Sequence, residues 1–133
     1  GKWTMNRDTS SDVSDVLEIQ GFNAITRKIA AAAPVSLDIT QKDKEEVHIK
    51  QSTAASIPAV QEEWYLDWQE REQKDSFLGK VKSKSRWISP TDIDEAFLSD
   101  GIPESHGEVI EAEVESLDSG WKARQIWYVA EDG

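Results

Sequence analysis

The residues best suited to chemistry are a carboxylic acid and several amides and hydroxyls that alternate with apolar residues. Glu62 is spaced by two from Trp64, which is spaced by two from Leu66, so the three side chains share one face of an extended strand. A carboxylate on an apolar inner face loses hydration, which raises its pKa as general acid catalysis requires. We predict a catalytic role for Glu62. The alternatives are an ion pair with an inward base or a place at an open rim.

The other polar residues predicted on inner faces are Gln51, Ser83, Ser85 and Gln125. Buried polar groups need partners, which are each other, water or the carbonyl and hydroxyl groups of a ligand. We predict Gln125 as a second catalytic residue, because an amide can polarise a conjugated carbonyl. The predicted ligand-binding residues are Gln51, Trp64, Leu66, Ser83, Ser85, Trp87, Trp121 and Trp127. Trp3 and Trp68 are predicted to close the base or an end of the structure.

Motifs for metal, phosphate or nucleophilic chemistry do not accompany these residues. The sequence has no cysteine, and His48 and His106 are predicted on an outer face and in a loop. We therefore predict no metal site and no cofactor. The sequence contains neither a glycine-rich phosphate loop nor a G-x-S-x-G nucleophile. The alternating Glu111, Glu113 and Glu115 are interpreted as a solvated acidic face.

Length and charge limit the classes of protein and partner. The 133 residues predict one domain over 1–133, and the net charge is −11, from 26 acidic and 15 basic residues. That field repels phosphate backbones and anionic lipid, which argues against nucleic acid and membrane partners. The lack of cysteine and of a signal-peptide pattern favours a cytoplasmic protein, either monomer or homodimer. Six tryptophans indicate either a filled core or a ligand cavity.

Hydrophobic periodicity predicts two short helices followed by a series of strands. Helices are predicted after a cap at Ser10 or Ser11, ending at Gly21, and over 23–33, with Phe22, Ile25, Ile29 and Ala33 on one stripe. Strands are predicted at 2–6, 35–40, 47–52, 60–68, 80–87, 110–115 and 121–130. Residues 69–75 are predicted as a charged turn, and 92–98 as one or two helical turns with Ile93, Phe97 and Leu98 packing inward.

The strands predict an antiparallel barrel. Strands with one apolar and one charged face need a shared interior, and closing a sheet on itself supplies one. The fold class predicted is an all-β antiparallel barrel with a helix-turn-helix after the first strand. In the last strand, the predicted inner residues are Trp121, Ala123, Gln125, Trp127 and Val129. Asp132-Gly133 is a hairpin signal, which predicts a further strand beyond the end of this chain.

The opening of the chain resembles the lipocalin and fatty-acid-binding-protein superfamily. The resemblance rests on Gly1-Lys2-Trp3, the helical hairpin and Thr26-Arg27-Lys28, and it covers the first third. It implies a lidded barrel that binds a hydrophobic small molecule such as a fatty acid. The Arg-x-Tyr pair that clamps a carboxylate in fatty-acid-binding proteins is replaced by Gln125-Ile126-Trp127.

A resemblance over nearly the whole chain is to small fungal lipocalin-like proteins, some of which are pericyclases of natural-product biosynthesis. It is carried by Gly1-Lys2-Trp3-Thr4-Met5-Asn6, Leu17-Glu18-Ile19-Gln20-Gly21, Thr26-Arg27-Lys28, His48-Ile49, Leu66-Asp67-Trp68, Ser85-Arg86-Trp87 and Gln125-Ile126-Trp127. Trp64 stands where that family usually has an arginine. The resemblance implies a cofactor-free pericyclase or cyclase acting on an apolar, polyene-like substrate. The alternatives are an intracellular carrier of a fatty acid or another hydrophobic molecule, and a barrel filled by its own tryptophans.

Overall fold

Alternating apolar residues pair the strands into two antiparallel sheets. The computed structural model describes residues 1–6, 10–11, 14–32, 35–52, 60–75 and 78–129. Within these residues the strands are β1 (Lys2–Thr4), β2 (Ser36–Gln41), β3 (Glu46–Ser52), β4 (Val60–Tyr65), β5 (Arg71–Asp75), β6 (Gly79–Ile88), β7 (Val109–Ser116) and β8 (Lys122–Trp127). The helices are α1 (Ser14–Ile19), α2 (Ala24–Ala32) and α3 (Ala96–Ser99). The sheet orders are β1-β2-β3-β4 and β5-β6-β7-β8.

The first sheet has one apolar face. Directly opposed residues of an antiparallel pair point to the same side, and Ile39, Ile49 and Glu62 form one such row. The next inward row is Gln41, Val47 and Trp64. Val47, Ile49 and Trp64 are buried, which confirms the predicted parity of β3 and β4.

The second sheet turns small and aromatic residues to the same interior. Ser85 opposes Ala112, and Ala112 opposes Gln125. Trp87, Ile110 and Trp127 form the next row. The predicted inner parity of β8 is therefore confirmed for 123, 125 and 127. Val129 is 61% exposed, so its predicted inward position was wrong, because β8 ends at Trp127.

The two sheets share a core. Val47, Ile49 and Trp64 from the first sheet pack with Ala112 from the second, and Trp127 packs against this cluster. The chain therefore has the predicted lipocalin- and fatty-acid-binding-protein-like barrel architecture. The structure describes no residue after Val129, so the predicted further strand stays a prediction.

The helical pair follows β1 as predicted. Gly21 has a φ of +89° and ends the turn after α1, where the Phe22 amide donates to the Leu17 carbonyl. Asn23 begins α2 by accepting from the Thr26 amide at 2.8 Å. Ile25 is 72% exposed, so the predicted apolar stripe does not bury that residue. None of the helices in the described residues is long and apolar enough to cross a membrane.

The polar segment after β4 was predicted wrongly. Residues 71–75 form β5, opposite β6, rather than a turn, and β4 ends at Tyr65 rather than 68. The segment has no apolar alternation. Its residues opposite the inward Val81 and Ser83 of β6 are the polar Gln73 and Arg71. Pairing with β6, rather than burial of an apolar face, makes this segment a strand.

The connection between β6 and β7 covers the outer side of the second sheet. Ile93 and Ile102 from this connection pack with Ile88 and Val109, and Ile126 packs against them. Phe97 is 89% exposed, so the prediction that it packs inward was wrong. Short helical turns aim Ile93 at the sheet while α3 aims Phe97 at solvent.

Candidate functional site

Two tryptophans, one from each sheet, form the centre of the interior. The Trp64 and Trp127 rings meet edge to face, with centroids 5.4 Å apart and an interplanar angle of 71°. Trp127 Nε1 donates to Gln125 Oε1 at 2.8 Å. This hydrogen bond satisfies the indole N–H and engages the amide oxygen of Gln125; no described residue bonds to the amide nitrogen of that side chain.

A small cavity lies beside Trp64. It holds about 10 Å³, room for about one water, and its lining is Glu62, Trp64, Gln73, Leu78, Val81, Ser83 and Val114. Glu62 is half-buried here and makes its own polar interaction. The structure thus places Glu62 on the interior side, as predicted; its catalytic role stays a prediction.

A larger cleft separates β4 from β5. Its volume is about 390 Å³, and its lining includes Trp64, Gln73, Ser83 and Ser85. Trp64, Gln73 and Ser83 also line the small cavity, so the cavity lies directly behind the cleft. The cleft is therefore a way from solvent to the interior.

Side chains bridge this cleft. Gln73 Nε2 donates to the Gln61 carbonyl at 2.9 Å, and the Ser85 hydroxyl donates to the Tyr65 carbonyl at 3.3 Å. Among the described residues, β4 and β5 belong to separate sheets and form no ladder with each other. The two sheets are consequently joined along this line by contacts that can break singly.

A tight ion pair flanks the cleft. Arg71 donates from both terminal nitrogens to the Asp67 carboxylate, at 2.9 and 2.7 Å, and lies 4.6 Å from the centre of the Tyr65 ring. These hydrogen bonds hold the pKa of Asp67 well below its usual range and raise the pKa of Arg71. The hydrogen bond from the Tyr65 hydroxyl to Glu63 raises the pKa of Tyr65. Asp67, Arg71, Tyr65 and Glu63 at this rim are thus hydrogen-bonded to one another in pairs.

The other predicted ligand-binding residues lie in four different places. Leu66 packs on the central cluster beside Trp64. Gln51 lies on the inner face but is exposed at the end of β3. Trp87 donates its Nε1 to the Lys44 carbonyl at 2.6 Å, which ties β6 to the turn between β2 and β3. Trp121 is buried with Val81 and Val114 near the turn after β7. The structure does not gather these residues around one space.

Trp3 and Trp68 both lie outside the buried core. Trp3 is 44% exposed and opposes Leu37 on β2, and its predicted role in closing an end stays a prediction. Trp68 follows β4 with a φ of +60°, and its amide donates to the Ser85 carbonyl. Its ring lies 4.2 Å from Lys84 Nζ and 4.0 Å from the Arg86 guanidinium, on the outer side of the second sheet. The β4 alternation predicted for Trp68 was wrong because the strand ends before it.

A buried acid lies on that outer side, although its alternation with other acids predicts a solvated face. Glu111 is 1% exposed, whereas Glu113 is 40% exposed. Its two oxygens accept from Arg86, at 3.1 and 3.2 Å, and from Arg124 at 2.9 Å. Arg124 also donates to Asp94 at 2.6 Å, which lowers the pKa of Asp94 and raises that of Arg124. The basic residues Arg86 and Arg124 are visible in the sequence, but only the pairing of β6, β7 and β8 shows that both lie beside Glu111.

In the part of the chain that the structure describes, no three His, Asp or Glu side chains come together in a way that could hold a metal ion. His48 pairs with Glu46, which lowers the pKa of Glu46, and His106 contacts the Val129 carbonyl at 2.9 Å. The described arrangement offers an aromatic interior with amide, hydroxyl and carboxyl groups, which can bind and orient an organic molecule.

Comparison with solved structures yields the same fold. One similar structure is the REP1-NXSQ fatty acid transporter, with a TM-score of 0.56 and 19% identity, over 97% of this chain and 87% of that chain. A tyrosine-to-phenylalanine variant of that transporter matches with the same TM-score and identity, over 88% of its length. At this identity the likeness shows the fold alone. No family model and no curated protein matches the sequence.

Proposed function

We propose that this protein binds one hydrophobic small molecule between its two sheets, with entry through the cleft between β4 and β5. The observation that carries the proposal is that a cleft of about 390 Å³ reaches the edge of the buried Trp64. That volume is in the range of sites for organic ligands, about 300–1,000 Å³. Aromatic walls supply apolar contact area, and a few polar groups supply orientation.

Opening the cleft requires little disruption. Two hydrogen bonds span it, from Gln73 to the Gln61 carbonyl and from the Ser85 hydroxyl to the Tyr65 carbonyl. Such a bond contributes about 0.5–1.5 kcal/mol, a small part of the stability of a domain. A ligand that displaces such a contact gains apolar burial against Trp64 and Trp127. The small interior volume then describes the closed state of the barrel.

The solved structures give independent support. Both are described as fatty acid transporters, and both share this architecture over most of the chain. A common barrel does not carry a common ligand, since function depends on the site that the fold supports. We carry over only the broad class, an apolar small molecule held inside the barrel.

Titration with an uncharged dye tests this proposal. Nile red fluorescence, displaced by 1-dodecanol, should report one site per chain. Ser83→Leu fills the space shared by cavity and cleft and should weaken the binding of both by about tenfold or more, because it removes ligand volume. Ser119→Leu, on an exposed turn, is the matched control and should bind as the wild type does. Equal binding by wild type and Ser83→Leu would overturn the interior site.

A cofactor-free cyclase is the second candidate, and Gln125 is the observation that favours it. Its oxygen is engaged by Trp127, which leaves the amide nitrogen to donate to a substrate carbonyl. Glu62 supplies a carboxyl group on the same interior. A substrate held in a folded shape needs no nucleophile to react faster.

The cyclase proposal is tested on a linear polyene with a conjugated carbonyl. Faster cyclisation and altered stereochemistry with the wild type, reduced in Gln125→Ala, are the expected results. Because Gln125→Ala also frees the Trp127 indole, Gln125→Glu, which keeps the acceptor oxygen, is the paired variant. Rates and stereochemistry equal to the uncatalysed reaction would exclude this candidate and leave the binding proposal intact.

A further inference from the structure

The second sheet contributes two separate clusters of apolar side chains to the interior. In the central cluster, Ala112 of β7 packs with Trp64 and other residues of the first sheet. In the other, which we call the Val114 cluster, Val81, Val114 and Trp121 pack with one another, and among the described residues no member comes from the first sheet. Apolar packing therefore joins the two sheets around Ala112, but in the described residues it does not join them around Val114.

The small cavity lies between the Val114 cluster and the first sheet. Val81 and Val114 of the second sheet line it together with Trp64 of the first. Packed protein interiors leave few voids large enough for a water molecule, so this space marks a place where the two sheets do not interdigitate. The large cleft shares Trp64, Gln73 and Ser83 with the cavity and therefore leads to the same place from solvent.

The other end of the cleft is clamped by the turn that follows β4. The Trp68 amide donates to the Ser85 carbonyl at 2.8 Å, and the Ser85 hydroxyl donates to the Tyr65 carbonyl. The Trp68 ring lies over Arg86, whose guanidinium donates to the buried Glu111. A φ of +60° is unfavourable for a residue with a Cβ atom, so the contacts of this Trp68 clamp must hold the turn in place.

Separating the sheets has different costs at the two ends of the cleft. At the cavity end it breaks the hydrogen bond from Gln73 to the Gln61 carbonyl, while the Val114 cluster stays intact within the second sheet. At the clamp end it would pull Trp68 away from Ser85 and Arg86 and expose the central cluster. Burial of apolar area is the larger of these terms, so separation at the cavity end is favoured.

From these contacts we infer that the sheets part at the cavity end, with the Trp68 clamp as the pivot, and that the apolar body of the ligand fills the wedge between Trp64 and the Val114 cluster. The motion keeps both sheets intact and needs a change of backbone angles only in a turn, as in other hinges. The inference rests on the proposed function, since it places the ligand within that interior and names the motion that admits it.

Brominated ligands test the position of the ligand. 1-Dodecanol that carries bromine at carbon 7 or carbon 12 quenches the fluorescence of an indole that it contacts. We expect Trp121→Phe to reduce the intensity lost to the bromine with at least one of these ligands. Trp3→Phe, at a residue that is 44% exposed, should leave that lost intensity unchanged. Displacement of Nile red by plain 1-dodecanol shows that each variant still binds.

Crosslinks across the cleft test the pivot. The chain has no cysteine, so an introduced pair reacts alone with a flexible bismaleimide. Gln61→Cys with Glu72→Cys spans the cavity end, and Glu63→Cys with Gln69→Cys spans the clamp end; all four residues line the cleft. Relative to the same pair before crosslinking, the first crosslink should slow Nile red association by about tenfold or more, and the second by less than about twofold.

The outcomes distinguish this inference from the proposal beneath it. Equal bromine quenching in the wild type and Trp121→Phe would overturn the wedge position and leave the binding function standing. Slowing by the clamp-end crosslink that equals or exceeds slowing by the cavity-end crosslink would overturn the pivot, again without touching the binding function. If 1-dodecanol does not displace Nile red from the wild type, the binding function and the inference both fail.

Discussion

The Trp127 indole lies edge to face against Trp64, 5.4 Å away between ring centroids, and so joins the last described strand to the fourth. The two residues belong to different sheets. The pair therefore does two things. It fills the middle of the barrel, and its Trp64 ring lines both the β4–β5 cleft and the small cavity behind it.

Removing the central Trp64 ring should strongly lower the free energy of unfolding. Trp64 is 4% exposed, so Trp64→Ala leaves a cavity in the core and is expected to lower the free energy of unfolding by about 3–5 kcal/mol. Trp3→Ala, at a residue that is 44% exposed, should cost less than about 1 kcal/mol. Urea denaturation followed by far-ultraviolet circular dichroism measures both. Similar losses for the two variants would contradict the assignment of Trp64 to the core.

Glu111 should matter far more than its neighbours of the same charge. Glu111→Ala leaves Arg86 and Arg124 side by side without their shared carboxylate, which should cost about 3 kcal/mol. Glu113→Ala removes an exposed ion pair with Lys84 and should cost less than about 1 kcal/mol. The same denaturation experiment compares them. A loss for Glu111→Ala no larger than that for Glu113→Ala would show that this network does not stabilise the fold.

The alternation of apolar and polar residues correctly predicted which face of β3, β4 and β8 points inward. Side chains in these strands alternate between the two faces, so a shift of the strand register by one residue would move every side chain to the opposite face. The inward orientation of Trp64 on β4 and of Gln125 on β8 was accordingly predicted correctly. Residues 71–75 show the limit of this signal, since they form a strand by pairing with β6 while every residue is polar.

Long-range pairing explains the other errors. Glu111, Glu113 and Glu115 look identical along the chain, but only the first is covered by the segment that carries Ile93 and Asp94. Trp68 looks like a continuation of β4, but its φ of +60° turns it over the bases of β6. Neither the covering segment nor the turn has a period, so local pattern could not place them.

The Asp67–Arg71 ion pair should make the free energy of unfolding depend on pH in the acidic range. The pKa of Asp67 is lowered in the folded state by Arg71, so its stabilising contribution is present above its unfolded pKa, about 4, and is lost as the pH falls below it. Asp67→Asn should therefore flatten the loss of stability between about pH 4 and pH 2. Urea midpoints across that range measure the slope, with the exposed Asp38→Asn as control. An unchanged slope in Asp67→Asn, equal to that of the control, would contradict the role of this pair.

The bridge across the cleft should control the rate of ligand exchange more than affinity. Gln73→Ala removes the hydrogen bond to the Gln61 carbonyl, so association and dissociation of a neutral ligand should both become faster. Gln61→Ala keeps the backbone acceptor and is the matched control. Stopped-flow fluorescence with Nile red measures both rates. Rates in Gln73→Ala that equal those of the control would show that the ligand enters by another path.

The most direct measurement is the response of the six indole N–H signals in a nitrogen–proton correlation spectrum during titration with 1-dodecanol. Single Trp→Phe variants assign the signals. Binding between the sheets predicts large shifts for Trp64 and Trp127 and an unmoved signal for Trp68, which lies outside over Lys84 and Arg86. Shifts confined to Trp3 and Trp68, with Trp64 and Trp127 unchanged at saturating ligand, would contradict an interior site.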